Sequence, residues 1–296
     1  MTVPTTRRRL ALFTGLLAAP AAALGLVAAA PTAVAQPAAP SAASSAPEAA
    51  TGSDGLAHGA KPTVVLVHGA WADASSWTGV IQRLQGDGYP VRALANPLRS
   101  LAGDAASVAG FLSTVPGPVV LVGHSYGGAV ISTAAAGNPN VKALVYVDAF
   151  VPDVGETVLS LAGPDSVLAG DPTTVFDFAP NPAGPPGDVD LYLKKSVFQQ
   201  SFASDLSSRT SSVLYATQRP AAFSGFGGAA TVAAWKTIPS WYLVGTGDTV
   251  IPPEQQLFMA RRANARIVQV SASHVSLISR PGAVTDLIVA AARSVG

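Results

Sequence analysis

A serine stands where an apolar run meets a group of glycines, in the stretch Gly123-His124-Ser125-Tyr126-Gly127. Four apolar residues, 119–122, precede this stretch, and an alanine-rich helical pattern follows it. A strand, a tight turn and a helix with glycines two positions before and after a serine form the G-x-S-x-G elbow, which exposes the serine oxygen. Glycine-rich turns also bind phosphates, but the spacings of the phosphate-binding fingerprints are missing from the sequence. We therefore predict that Ser125 is a nucleophile.

A serine hydroxyl needs a base within hydrogen-bond reach, and the chain has four histidines. His58 lies in a stretch rich in small and polar residues. His68 and His124 flank two predicted turns, where we expect them to order the backbone. His274 follows the last predicted strand, and in hydrolases with this elbow the histidine comes last of the three reacting residues. His274 is therefore the predicted base.

An acid must hold that histidine in the correct tautomer. Asp248, in Gly245-Thr246-Gly247-Asp248, follows a strand and precedes the predicted base by 26 residues, so it is the predicted acid. Asp148 also ends a strand and stays open as the alternative. Its other interpretation is a carboxylate that anchors the entry to an inserted segment.

Acyl transfer also needs donors for the developing oxyanion, usually two backbone N–H groups. One is expected from Tyr126, the residue after the serine. The other is expected from the turn after the first strand, with Ala70 as the first candidate and Trp71 as the second. We also predict that Trp71 and Phe150 contact substrate. Aromatic residues here fit a core role equally well, and both interpretations apply to Phe176, Phe178 and Phe198.

Apolar strands alternate with helical patterns after residue 60. This alternation predicts an α/β fold, with a mostly parallel sheet and helices on both faces. Functional residues gather at the carboxyl ends of such strands, so we expect the serine, histidine and aspartates to meet there. The strands are predicted at 63–67, 89–95, 119–122, 141–147, 241–244 and 265–270, and the helices at 77–85, 104–112, 129–136, 253–262 and 284–294.

Residues from about 150 to 235 break this alternation. They contain clustered prolines and glycines, several aromatic residues and a helical stretch predicted over 189–202. An insertion at this point would lie over the functional edge of the sheet. We predict that it is a small cap, carried by one domain that spans residues 61–296.

The first 60 residues differ in composition from the rest. Three arginines, 7–9, precede an uncharged run rich in alanine and leucine, and Ala33-Val34-Ala35 offers a small-x-small cleavage site. Residues 1–35 are predicted to be an export signal peptide, by the twin-arginine or the general secretory route. An uncleaved anchor is the alternative, which Pro20 and Pro31 disfavour. Residues 36–60 are predicted to be a disordered tether. Because the signal peptide is predicted to be cleaved, we expect a secreted or extracytoplasmic protein without a stable membrane anchor.

Charge and cysteine content exclude several classes of function. Residues 1–35 hold three of the 18 basic residues and none of the 17 acidic ones, so the remainder carries a net charge of −2. A chain without a basic patch is not expected to bind nucleic acid. The absence of cysteine excludes disulfides, cysteine nucleophiles and cysteine-ligated zinc.

Taken together, these motifs resemble the α/β-hydrolase superfamily over about residues 62–296. The motifs are Val64-Val65-Leu66-Val67-His68-Gly69-Ala70-Trp71, the serine elbow, Asp248 and His274. The chain is similar to the small-capped branch that holds plant methylesterases, hydroxynitrile lyases and bacterial carboxylesterases. The resemblance implies a Ser125–His274–Asp248 triad, an oxyanion hole formed by the amides of Ala70 and Tyr126, and no metal or organic cofactor. It does not fix the substrate, because this fold hosts many reactions.

The favoured interpretation is a secreted carboxylesterase that cleaves small or medium apolar or aromatic esters through an acyl-serine intermediate. Its expected partner is a small-molecule ester. Epoxide hydrolases and haloalkane dehalogenases would need aspartate in place of Ser125. A hydroxynitrile lyase stays open, with Lys194 or Lys195 as the lysine that it recruits. A catalytically silent binding module would be favoured by a missing triad residue, and none is missing.

Overall fold

The computed structural model describes residues 61–295. Its main sheet has six parallel strands in the order β2-β1-β3-β4-β8-β9, and a second sheet has three antiparallel strands in the order β5-β6-β7. The strands are β1 (Thr63–Val67), β2 (Val91–Leu94), β3 (Val119–His124), β4 (Val141–Val147), β5 (Phe176–Pro180), β6 (Val189–Leu193), β7 (Ala221–Ala222), β8 (Ser240–Gly245) and β9 (Arg266–Val270).

The middle strands of the main sheet are apolar on both faces. Every residue of β3 and β8 is buried, and β1 and β4 are buried except at one position each. Runs rich in valine and leucine suit this position, because side chains branched at Cβ pack well on a pleated surface and helices cover both faces of a parallel sheet. The α/β class predicted from the sequence is confirmed.

Eleven α-helices lie in the described residues, and those around the main sheet pack in pairs. Helix α1 lies against α11, and α2 lies against α3, which in turn packs on β3. The helices are α1 (Thr78–Gly86), α2 (Leu101–Leu112), α3 (Tyr126–Ala134), α4 (Val158–Ala162), α5 (Pro172–Val175), α6 (Lys195–Val197), α7 (Ser208–Thr217), α8 (Phe223–Gly227), α9 (Pro253–Arg262), α10 (Ser276–Ser279) and α11 (Pro281–Arg293).

Helix α2 begins three residues earlier than the hydrophobic pattern predicts. The Oγ of Ser100 accepts the N–H of Gly103 at 3.1 Å and so caps the first turn. A capping serine satisfies an N–H group that has no partner inside the helix. The extra turn places the carboxylate of Asp104 inside the protein, where it accepts the hydroxyl of Tyr126 at 2.8 Å.

Residues 148–239, between β4 and β8, are called the inserted segment below. The segment contains helices α4 to α8, the second sheet and a π-helical turn, Phe198–Phe202. The helix predicted over 189–202 is wrong for its first part, because Val189–Leu193 forms strand β6 between β5 and β7. These five residues alternate apolar and polar side chains, which is the period of a strand.

The predictions for residues 1–60 lie outside the described part of the chain. Within residues 61–295, the longest helix is α11 with 13 residues, and no helix is long and apolar enough to cross a membrane. A spanning helix needs about 20 residues.

Candidate active site

Ser125 lies in a sharp turn between β3 and α3. Its backbone is in a left-handed region, with φ 54° and ψ −125°, which is unusual for a residue with a side chain. Helix α3 approaches β1 so closely that a Cβ atom on Gly127 would lie 2.5 Å from the carbonyl oxygen of Val67. A Cβ on Gly123 would lie 2.6 Å from the carbonyl oxygen of Gly127. The two glycines of the motif therefore allow the turn to form.

Ser125, His274 and Asp248 form a continuous line of hydrogen bonds. The Nε2 atom of His274 lies 2.8 Å from Ser125 Oγ, and its Nδ1 atom lies 2.7 Å from Asp248 Oδ2. All three side chains are buried, with 2% or less of each residue exposed. The structure therefore brings together three residues that lie up to 149 positions apart in sequence.

The loop after β8 fixes Asp248. Its Oδ1 atom accepts the amides of Val250 at 2.7 Å and Ile251 at 3.0 Å, and its Oδ2 atom accepts Nε2 of Gln256 at 2.8 Å. Burial raises the pKa of Asp248, and these donors oppose the rise because they favour the ionised form. With His274, four donors face the carboxylate, which suits an ionised acceptor that holds the histidine by Nδ1–H.

His274 is neutral in this environment. Burial lowers the pKa of its imidazole to about 3, because the charged form loses its hydration. A neutral ring that donates Nδ1–H to Asp248 leaves Nε2 free to accept the hydroxyl proton of Ser125. That is the protonation state a general base requires.

Asp148, the alternative acid, makes no hydrogen bond to the His274 ring, which bonds to Asp248 instead. The Oδ2 atom of Asp148 accepts the amide of Ser276 at 3.1 Å and the Ser276 hydroxyl at 2.5 Å. Burial, and then the nearby charge of Asp248, raise the pKa of Asp148 well above its ordinary value. Asp148 has φ 44°, so its backbone is strained as well. It anchors the chain two residues beyond His274.

The backbone amides of all three predicted oxyanion donors, Ala70, Trp71 and Tyr126, have no hydrogen-bond acceptor among residues 61–295. Tyr126 is the first residue of α3, so its amide lies at the positive end of the helix. Ala70 follows Gly69, where a Cβ atom would lie 2.6 Å from the Cβ of Ser125. The loop after β1 therefore lies against the serine.

Two further buried histidines order the backbone around this line. Nε2 of His124 donates to the carbonyl oxygen of His274 at 2.8 Å. Nδ1 of His68 donates to the carbonyl of Gly69 at 2.8 Å, and Nε2 of His68 accepts the amide of Asn96 at 3.0 Å. Burial lowers the pKa of His68 to about 4 and that of His124 well below its ordinary value. Both rings are therefore neutral supports.

Trp71 stands at the boundary between the main sheet and the inserted segment. Its Nε1 donates to the carbonyl oxygen of Leu191 on β6 at 2.9 Å. Its indole stacks on Phe176 and Phe226, with ring centroids 5.9 and 5.6 Å away, and meets Phe202 edge-on at 6.0 Å. It also lines an apolar pocket of about 140 Å³ that the inserted segment walls on its other sides.

Phe150, the other predicted substrate contact, is buried in the hydrophobic core. Its side chain is 1% exposed, and its amide donates to the carbonyl oxygen of Ser125 at 3.1 Å. Phe176 and Phe178 line the apolar pocket of about 140 Å³ with Trp71. Trp71 and Phe198 also line a second, smaller pocket. Phe150 lines neither of the two.

Sequence reasoning missed Phe202 and Asp205 in the inserted segment. The ring of Phe202 lies 5.3 Å from that of His274. The Ser273 hydroxyl, next to that histidine, donates to the carboxylate of Asp205. Nothing in the local pattern marks either residue, because both lie in a stretch whose π-helical turn has no simple hydrophobic period.

The two lysines considered for a lyase lie away from the serine. Lys194 pairs with Asp177 at the edge of the second sheet, and about a third of its side chain is exposed. Lys195 is exposed. Neither lines the pockets beside Trp71.

Residues 64–287 match the alpha/beta hydrolase family. The chain belongs to this family. Among curated relatives, the alpha/beta hydrolase nvfD of Aspergillus novofumigatus is 29% identical to this alpha/beta hydrolase over 254 residues, which cover 77% of the chain and 95% of that protein.

Two solved structures are similar to this alpha/beta hydrolase in fold. Polyneuridine aldehyde esterase superposes with a TM-score of 0.67 at 19% identity, over 78% of this chain and 98% of the esterase. A pyrethroid hydrolase from Sphingobium faniae JZ-2 superposes with a TM-score of 0.62 at 22% identity, over 79% of this chain and 98% of the other. The superfamily predicted from the sequence is confirmed by the family match over residues 64–287.

Proposed function

We propose that this alpha/beta hydrolase is a serine carboxylesterase that cleaves small or medium apolar or aromatic esters. The observation that carries the proposal is the line of hydrogen bonds from Ser125 through His274 to Asp248. It lies beside two amides, those of Ala70 and Tyr126, that have no acceptor in the described residues. A nucleophile, a neutral base, an orienting acid and donors for an oxyanion are the parts that acyl transfer needs.

In the first half of the reaction, Ser125 Oγ attacks the ester carbonyl carbon and passes its proton to His274 Nε2. The carbonyl oxygen becomes an oxyanion and accepts the two free amides. Asp248 stabilises the imidazolium through Nδ1–H. The bond from the carbonyl carbon to the alkoxy oxygen then breaks, the histidine returns the proton to that oxygen, and the alcohol leaves.

In the second half, a water molecule replaces the alcohol. His274 takes one of its protons while the water oxygen attacks the acyl carbon of the Ser125 ester. The bond to Oγ breaks, Oγ regains a proton from the imidazolium, and the carboxylic acid leaves. No step needs a metal ion or an organic cofactor.

The similar structures support an ester substrate. One is that of an esterase that acts on polyneuridine aldehyde, and another is that of a pyrethroid hydrolase. At 19% and 22% identity these proteins share the fold with this chain, so the choice of substrate depends on the side chains that line its own pocket.

The direct test is turnover of p-nitrophenyl acetate by the purified chain and two serine variants. We expect Ser125→Ala to lower kcat by about 10⁴-fold or more, since a triad without its nucleophile retains little of its rate. Ser113→Ala, at an exposed serine after α2, is the matched control and should keep full turnover. Equal rates in the parent and Ser125→Ala would overturn the proposal.

We also propose that the protein is exported and that residues 1–35 are removed. The arginines at 7–9, the apolar run and the Ala33-Val34-Ala35 motif support this proposal. The test is N-terminal sequencing of the protein from the culture supernatant. A mature chain beginning at Gln36 is expected, and a protein retained in the cells with Met1 intact would contradict it.

A further inference from the structure

An apolar pocket lies under the inserted segment, one aromatic side chain away from the proposed reaction centre. Its volume is about 140 Å³, and nine apolar side chains line it. An engineered cavity of about 150 Å³ with a similar lining takes up benzene. The pocket is therefore large enough for a group of about six carbons, and it offers no charge that would hold an ion.

Two of the pocket walls also touch the residues next to Ser125. Trp71 follows Ala70 in the loop beside the serine, and its ring meets Phe202, which packs on His274. The ring centroid of Phe226 lies 5.6 Å from that of Tyr126, the residue after the serine. The rings of Trp71 and Phe226 therefore connect the walls of the pocket to the residues around Ser125.

The pocket has an apolar rim that reaches solvent. Leu159, Phe178 and Phe223 line it and are 45%, 49% and 49% exposed. Large apolar side chains exposed together around a concave site mark a ligand or partner contact. The rim gives an apolar group a route inward from water, and Ser125 itself is only 2% exposed.

We propose that this pocket receives the apolar half of the ester. Trp71 forms the pocket wall that limits the length of the group that fits. The proposal rests on the proposed function, which it deepens by naming the substrate class: esters with an unbranched or aromatic group of about six carbons. The indole is held by its bond to Leu191 and by the stacked rings of Phe176 and Phe226. Since Trp71 also has φ 58°, its position depends on these contacts rather than on the backbone alone.

The first arm of the test measures hydrolysis of methyl acetate, methyl hexanoate and hexyl acetate by pH titration. We expect kcat/KM for at least one six-carbon ester to exceed that for methyl acetate by about tenfold or more, because each buried methylene contributes about fourfold. A preference in the methyl series places the acyl group in the pocket, and a preference in the acetate series places the alkoxy group there.

The second arm fills the pocket. Leu168→Trp adds an indole to a half-buried wall residue, and we expect it to reduce the six-carbon preference by about tenfold. Leu257→Trp, at a half-buried leucine on α9 outside the pocket, is the matched control and should keep the preference. Trp71→Ala should extend the preference to longer chains. Hydrolysis with no preference, or a preference that Leu168→Trp leaves intact, would overturn the pocket assignment.

The third arm separates this proposal from the proposed function. Calorimetry measures the binding of ethyl hexanoate and ethyl acetate to Ser125→Ala, with and without Leu168→Trp. We expect tighter binding of the hexanoate by about tenfold and its loss on filling. If the parent hydrolyses no ester but this binding is seen, the pocket stands and the esterase falls. If neither hydrolysis nor binding is seen, both are overturned.

Discussion

Ser125, Asp248 and His274 are buried and follow the carboxyl ends of β3, β8 and β9. The inserted segment, in contrast, brings aromatic side chains to the same place. Hydrogen bonds of 2.7–2.8 Å join the three residues of the sheet edge. The contacts from the inserted segment are ring contacts at 5–6 Å, such as those of Phe176 and Phe226 with Trp71.

This difference separates the two tasks of the site. Hydrogen bonds fix direction and protonation state, which proton transfer requires. Ring contacts fill space without strong directional demands, so they can change with the substrate while the reaction geometry is kept. The residues of the sheet edge should therefore govern kcat, and those of the inserted segment should govern chain-length preference.

The largest expected effect comes from replacing each of the two buried carboxylates with an amide. Asp248→Asn should lower kcat by about 10⁴-fold, because an amide no longer holds the Nδ1–H tautomer of His274. Asp148→Asn keeps an acceptor for Ser276 and should cost less than about tenfold. Steady-state turnover of p-nitrophenyl acetate measures both. The reverse order would make Asp148 the acid.

A smaller effect is expected on the free energy of unfolding from crowding the elbow. Gly127→Ala would push a Cβ atom to 2.5 Å from the carbonyl of Val67 and should destabilise the fold by about 1–3 kcal/mol. Gly110→Ala, in α2 with no atom within 4 Å of the new Cβ, is the control and should stabilise by about 0.5–1 kcal/mol. Urea denaturation measures both, and equal effects would mean that the elbow is not tightly packed.

The buried histidines should make stability depend on pH. His68 has its pKa lowered from 6.5 to about 4, so between these values the unfolded chain binds a proton that the folded chain does not. Stability must then fall as the pH drops from 6.5 to 4, by about 1.4 kcal/mol per pH unit for this group. His68→Gln should reduce that slope by the same amount in urea denaturation at several pH values. Comparing the variant with the parent cancels the contributions of the buried aspartates. Equal slopes in the two proteins would contradict the prediction.

The smallest effect is expected in the inserted segment, at Lys194. Its pair with Asp177 is partly exposed, and exposed ion pairs contribute about 0–1 kcal/mol. Lys194→Gln should therefore leave the turnover of p-nitrophenyl acetate unchanged and shift the free energy of unfolding by less than about 1 kcal/mol. A loss of turnover above about tenfold would reopen the lyase interpretation.

The sequence predicts the main sheet closely. The predicted limits of β1, β4 and α9 are those of the structure, at 63–67, 141–147 and 253–262. Long apolar runs and a proline at a helix start are local signals that do not depend on distant contacts. The order of serine, aspartate and histidine likewise follows from the elbow and from the strands that precede each residue.

The inserted segment and the choice between aspartates are harder to predict. Residues 189–193 have the alternation of a strand, but no local pattern names β5 and β7 as the strands that pair with them. Asp148 and Asp248 both follow buried strands, so only the folded loops decide which one meets His274. The aromatic contacts have the same difficulty, since no local pattern distinguishes Phe202, whose ring packs on that of His274, from Phe150, whose amide donates to the carbonyl oxygen of Ser125.

The most direct test of the central claim is to label the nucleophile. The purified chain is treated with phenylmethanesulfonyl fluoride, digested and mapped by mass spectrometry. A sulfonyl group on Ser125 is expected, together with loss of ester turnover, and neither Ser125→Ala nor His274→Ala should be labelled. A folded parent that stays unlabelled, or that carries the label on another serine such as Ser273, would contradict the account.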